Sequence, residues 1–170
     1  MSKDPRRRLV KMYDRPGYLL RRAYQISVGA FELECRELSL TPAQFAVLSV
    51  LAAMDDIDQA RLARNLGYDK VTMMYVLRGL VERGLVKRHT TTGKGRRIAL
   101  SLTEAGLALL EQAQKPTEQA SASLLAPFTE IQQKQFIKLL KILNASLEEK
   151  ARAPLVLPEF VAEEQTRQRE

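Results

Sequence analysis

The side chains with the clearest chemical purpose in this sequence are cations, crowded into one stretch. Between Asp58 and Thr103 stand ten of them: Arg61, Arg64, Lys70, Arg78, Arg83, Lys87, Arg88, Lys94, Arg96 and Arg97. They face three acids, Asp58, Asp69 and Glu82. The stretch thus carries the full formal charge of the chain, +7, and the remaining residues sum to zero. A merely solvated surface would spread its charge more evenly. A concentrated patch is the footprint of a polyanion site, because cations that meet phosphates release condensed counterions.

Other chemistry has little to work with. The chain holds one cysteine, Cys35, and one histidine, His89. A four-ligand Cys/His zinc site cannot be built from them. A Ser-His-Asp triad would have to use His89, which falls on a strand candidate of a hairpin. Neither G-x-x-x-x-G-K-[ST] nor G-x-G-x-x-G occurs, so no phosphate loop is present. The expectation is no enzyme, no metal and no cofactor. A lone cysteine excludes an internal disulfide and fits a reducing cytoplasm. No apolar run reaches the roughly 18 residues of a membrane span. No apolar signal region follows Met1–Arg8, so no secretory peptide and a cytoplasmic protein are expected.

The elements that must position the cations are marked by caps. Thr41-Pro42, with Gln44 at the capping-box place, starts a helix whose buried stripe is Phe45, Leu48, Leu51 and Ala52. Asp58 caps a short helix, Gln59 to Asn65, and Gly67 ends it as a left-handed C-cap. Asp69 caps the next at once, and that one runs to Arg83 before Gly84. Two short helices about a tight glycine turn describe a helix-turn-helix. The period then changes. Residues 85–90 and 96–102 are strand candidates joined by the basic, glycine-rich 91–95, a hairpin that becomes a wing when placed after a helix-turn-helix.

Long helices flank this unit. One opens at Pro16 and runs to about Leu38, with Leu20, Tyr24, Val28, Phe31 and Cys35 three and four apart. A helix this long with little globular sequence before it needs something to pack on, and a partner subunit is a natural answer. Others cover about 104–149, with Pro116 expected to kink or break the first and Pro127 to separate it from the last. In the last, Thr129 and Gln132 form a capping box, and a stripe from Ile131 to Leu147 lies on one face. Residues 1–14 are expected to be a flexible basic arm and 151–170 a loose extension. The fold class is mainly α with a small β-hairpin wing. A winged helix-turn-helix at about 41–102 sits within a single domain, 15–150, with dimerisation helices at either end.

On the second helix of the pair, Met73, Val76 and Leu77 are placed inward. Lys70, Val71, Thr72, Met74, Tyr75 and Arg78 are left facing double-stranded DNA. Lys94, Arg96 and Arg97 on the wing complete the expected DNA contacts. Tyr75 either stacks against sugar and phosphate or is an ordinary half-buried tyrosine. Cys35 is placed as a buried structural thiol in preference to an oxidation sensor.

Four ordered pieces carry a resemblance. Leu40-Thr41-Pro42-Ala43-Gln44-Phe45-Ala46-Val47-Leu48 resembles L-T-x-x-Q-F-x-V-L, and Gln59 to Leu66 resembles Q-x-x-L-A-x-x-L. Leu80 to Arg88 is similar to L-x-x-x-G-L-V-x-R, and Leu100 to Gly106 to V-x-L-T-x-x-G. Together, from about Pro16 to Leu147, they resemble the MarR family of bacterial regulators. The resemblance implies a triangular homodimer whose first and last helices pair across the two-fold axis. It also implies a repressor of a pseudo-palindromic operator. The family wing usually carries D-x-R, with the Asp orienting the Arg that enters the minor groove; here those places hold Lys94 and Arg96. Val71 and Met74 can touch thymine methyls but cannot read guanine bidentately, so selection is expected to lean on A·T content and shape, with Arg96 in a narrow minor groove. The alternative is a nucleoid-type DNA coater with little sequence preference.

Pro16-Gly17-Tyr18-Leu19-Leu20-Arg21-Arg22 resembles the subset of the family that senses aromatic carboxylic acids. It implies Arg21 as the anchor of a ligand carboxylate, with Tyr18, Tyr24, Ser27 and Phe31 as further ligand contacts. Ser27 stands where relatives often carry His. A guanidinium at the edge of an apolar cleft suits that role; an intersubunit salt bridge or a solvated charge is the other reading of Arg21.

Overall fold

The computed structural model describes residues 4–54, 56–91 and 97–167. The helices are α1 (Pro5–Tyr13), α2 (Pro16–Glu34), α3 (Pro42–Ala53), α4 (Gln59–Leu66) and α5 (Lys70–Glu82), then α6 (Glu104–Leu125), α7 (Glu130–Leu147) and α8 (Glu159–Arg167). Between α5 and α6 lie the strands β1 (Val86–Thr90) and β2 (Ile98–Leu102). Among the described residues no helix is long and apolar enough to cross a membrane.

Local chemistry sets the helix starts. Thr41 and Gln44 close a reciprocal capping box at α3, each side chain accepting the other residue's backbone N–H at 3.3 and 3.1 Å. Asp58 accepts from Arg61 N at 2.8 Å to open α4, and Gly67 closes it at φ 63°, where a side chain would be strained. Thr103 Oγ1 accepts from Gly106 N at 3.0 Å to cap α6, and donates to Gly84 O at 2.7 Å. A Cβ on Gly106 would lie 2.1 Å from Leu85 O, so only glycine lets α6 begin against the chain entering β1.

These elements close on one core. Val47, Leu48, Leu62, Met73, Leu77 and Leu80 are sealed inside the three helices α3–α5. Val86 and Leu100 join them from the hairpin and Ala113 from α6. β1 and β2 are antiparallel, in register from Val86↔Leu102 to Thr90↔Ile98. Leu100 N–H also reaches Ile57 O at 2.9 Å, which pins the base of the hairpin to the α3–α4 connection.

Four expectations differ. Residues 1–14 are not simply an arm: Asp4 accepts from Arg6 N at 2.9 Å, with Pro5 at the first helical place, and α1 follows. This is the same start signal as Thr41-Pro42. α6 runs unbroken through Pro116, because Leu110, Ala113 and Ala120 on either side are buried; packing outweighs the one lost backbone bond. The extension after residue 150 folds back on the molecule and ends in α8. The first long helix ends at Glu34, and a 3-10 turn, Arg36–Leu38, covers the rest of its expected length.

Candidate nucleic-acid interface

The interface is built around α5. Asp69 fastens its first turn: one carboxylate oxygen accepts from Val71 N and Thr72 N, both at 2.9 Å, and the other from Thr72 Oγ1 at 2.8 Å. The Thr72 backbone and hydroxyl bonds hold the Asp69 carboxyl below its ordinary range, with smaller help from Val71 N–H and the Arg152 charge. Met73, Leu77 and Leu80 enter the core, four and three residues apart. The opposite face is thereby left outside. Val71 is 58% exposed, Met74 44% and Tyr75 55%, with Lys70 and Arg78 also exposed. Thr72 is half-buried, and its hydroxyl is committed to Asp69. Val76 is half-buried against the core. The Arg78 guanidinium lies 4.9 Å from the centre of the Tyr75 ring, which holds both side chains along the helix; its Nε is 3.9 Å from Glu82.

Of the wing residues, Arg97 is exposed and 3.9 Å from Asp58, while Lys94 and Arg96 lie outside the described residues. Two acids of the α3–α4 connection therefore face the hairpin, for Asp56 Oδ1 also meets His89 Nε2 at 2.6 Å. Sequence reasoning missed this pair. Asp56 sits at φ 54°, a conformation uncommon outside glycine, and nothing in the spacing links it to His89. Ser101 Oγ is 3.5 Å from His89 Nδ1, so the residue types of a hydrolytic triad do meet, at the outer limit of a hydrogen bond. They bridge a loop and two strands, the arrangement of a tie. Arg83, one of the ten cations, donates to Ser39 O at 2.7 Å and Leu38 O at 3.0 Å and holds the α2–α3 connection.

The five residues assigned to a ligand all stand on α2. Tyr24, Ser27 and Phe31 share a face, while Tyr18 lies about half a turn round from Ser27. Tyr18 is met edge-on by Tyr13 at 4.9 Å, and Phe31 lies 5.9 Å from Phe45 of α3. The Arg21 guanidinium is 5.1 Å from the centre of the Tyr18 ring and donates to Gln25 at 3.1 Å. Both partners are neutral, so its charge stays available to an anion. Tyr68, in the helix-turn-helix turn, was not singled out from the sequence. Burial, then the neighbouring Tyr24, pushes its phenol up, which puts Tyr24 and the lobe within electrostatic reach. Cys35 is buried at the end of α2; burial, then Glu34, raises its thiol, so the protonated form prevails near neutrality.

Comparison with known proteins places this geometry. Residues 38–97 match the model of the MarR family. The HTH-type transcriptional repressor Rv2887 of Mycobacterium tuberculosis is 32% identical over 129 residues, 76% of this chain and 93% of the relative. Its structure with salicylic acid superposes with a TM-score of 0.60 at 32% identity, covering 76% of this chain and 96% of that one. Its structure with DNA gives 0.58 at 29%, over 76% and 97%. A probable transcriptional regulator of Pseudomonas aeruginosa gives 0.73 at 32%, over 78% and 98%. BpsR of Bordetella bronchiseptica, whose DNA binding is regulated by 6-hydroxynicotinic acid, gives 0.69 at 28%, over 76% and 93%. With a winged helix-turn-helix and a repressor so similar over nearly its whole length, the chain belongs to the MarR family of transcriptional regulators.

Proposed function

We propose that the protein is a homodimeric repressor that grips a two-fold operator and leaves it when a small aromatic carboxylate binds. The observation that carries the reading is α5 itself. Its inner face is sealed in the core, and its outer face offers Lys70, Val71, Met74, Tyr75 and Arg78 together. A helix held in this way reads a major groove, and a dimer of such helices calls for half-sites about one helical turn apart. The partner surface is supported by α7 and the amino-terminal helices: Leu139 is 64% exposed and Ile131 71%, with Leu9, Val10, Leu20 and Ile142 also outside. Apolar area of this extent marks an association site.

The ligand reading rests on Arg21 with Tyr24, Ser27 and Phe31, and on the two relatives solved or described with aromatic acids. An acid lodged between α2 and the lobe would favour one spacing of the two reading helices, and release follows if its affinity for the two spacings differs. The test is footprinting on a random-sequence library. Protection of one short two-fold site supports the repressor; uniform protection supports the DNA coater. Salicylate added to the complex should then release DNA from the wild type and spare the complex of Arg21→Gln.

A further inference from the structure

The turn of the helix-turn-helix carries a second piece of chain. After α7 the backbone reverses, and Leu155 N–H is held by the Glu148 carboxylate at 2.7 Å. Val156 N–H then donates to Arg64 O at 2.9 Å. Arg64 lies in the last turn of α4, where its carbonyl otherwise accepts only the longer bond of 3.3 Å from the Gly67 N–H of the C-cap. Leu155 covers Gly67: a Cβ there would stand 3.7 Å from Leu155 Cβ. Pro154 and Pro158 restrict the backbone on either side of this docked stretch. Arg152, exposed, is carried with it to the beginning of α5, close enough for its charge to act on Asp69. Arg64 and Lys70 are exposed at the same turn.

We propose that residues 148–158 form a strap that adds Arg152 to the DNA-binding surface as a phosphate contact beside the first turn of the recognition helix. The inference rests on reading α5 as the helix that enters the groove. The amino-terminal end of such a helix is the end nearest the bases, so a guanidinium held beside it meets the flanking backbone. Arginine suits the task, since its fork matches phosphate oxygens and its charge is permanent. Phosphate contact carries no sequence information, so the strap strengthens binding without changing which site is chosen.

The test compares wild type, Arg152→Ala, Val156→Pro and a chain ending at Pro158, on an operator duplex selected by the wild-type protein and on a random-sequence duplex. Affinity is read from fluorescence anisotropy between about 50 and about 200 mM salt. Arg152→Ala should bind both duplexes several-fold more weakly and lower the slope of log affinity against log salt by about one per protomer bound. Val156→Pro keeps the arginine and deletes the donor to Arg64, and should show the same loss with the thermal midpoint of the lobe retained. The chain ending at Pro158, which lacks α8, should match the wild type. An unchanged slope in Arg152→Ala overturns the proposal while leaving the repressor reading intact. So does a loss confined to the operator, or tighter binding by either variant, which would make the strap an obstruction. A wild-type protein that binds neither duplex overturns both readings.

Discussion

Residues 41–103 seal Leu48, Met73, Leu77 and Leu100 almost completely, whereas α1, α2 and α7 bury no residue at all. Yet the flanking helices are not poor in apolar side chains. α7 alone leaves Ile131, Ile137, Leu139, Ile142, Leu143 and Leu147 outside. The lobe therefore closes its core within one chain, whereas the flanking helices leave apolar faces open, as the proposed dimer requires. Such a division suits the proposed dimer, in which one region would read DNA and the other would set the spacing of two lobes.

The comparison breaks most severely if the lobe is hollowed. Leu77 is fully buried, and Leu77→Ala should cost about 2–5 kcal/mol. For a chain of this size that lowers the thermal midpoint by roughly 10 °C. A midpoint within a degree or two of the wild type would show that the lobe does not hold itself together. The matching change in the flanking region is Leu139→Glu with Ile142→Glu on α7. The lobe should keep its fold, the sedimenting mass should halve, and operator affinity should fall by about 100-fold, since each lobe loses the effective concentration its partner supplied. An unchanged mass would remove α7 from the interface.

The same division explains what could be read beforehand. The lobe was legible because its signals are local. Asp58, Gly67 and Asp69 each act within four residues, and all three cap helices as expected. The inward placing of Met73 and Leu77 follows from helical spacing. What escaped depends on contacts distant in the chain. Asp56 meets His89 across 33 positions, and Arg83 reaches Ser39 across 44. Val156 reaches Arg64, and no period or cap announces such a pair. α1 is a different kind of miss. Its Asp4-Pro5 start was visible, but the run of arginines after it suggested a solvated arm.

A smaller effect probes the surface proposed to meet DNA. The folded Asp69 carboxyl lies below its ordinary range, chiefly through its bonds to Thr72. A depressed carboxylate adds stability above its unfolded value, near 3.9, and loses it as pH falls through the lower folded value. Asn caps a helix about as well as Asp, so Asp69→Asn keeps the cap while deleting the titration. Midpoints of the two proteins should differ at neutral pH and converge in acid. A gap that is constant down to about pH 3 would mean that the carboxylate is not perturbed.

The smallest effect concerns the seam between the two regions. Cys35 ends α2, the flanking helix, yet its thiol is sealed in the core of the lobe. Burial, aided by Glu34, raises the thiol, and the thiolate is the form that reacts. Native protein should therefore be labelled by a maleimide far more slowly than unfolded protein. Peroxide should leave DNA binding of the wild type equal to that of Cys35→Ala. A group raised in this way supports the fold below its unfolded value, near 8.5, and that support declines as pH rises beyond it. Slow labelling that accelerates only under alkaline or denaturing conditions would place α2 firmly on the lobe. Fast labelling at neutral pH, with Leu77→Ala still destabilising, would mean that the seam opens while the core stays shut.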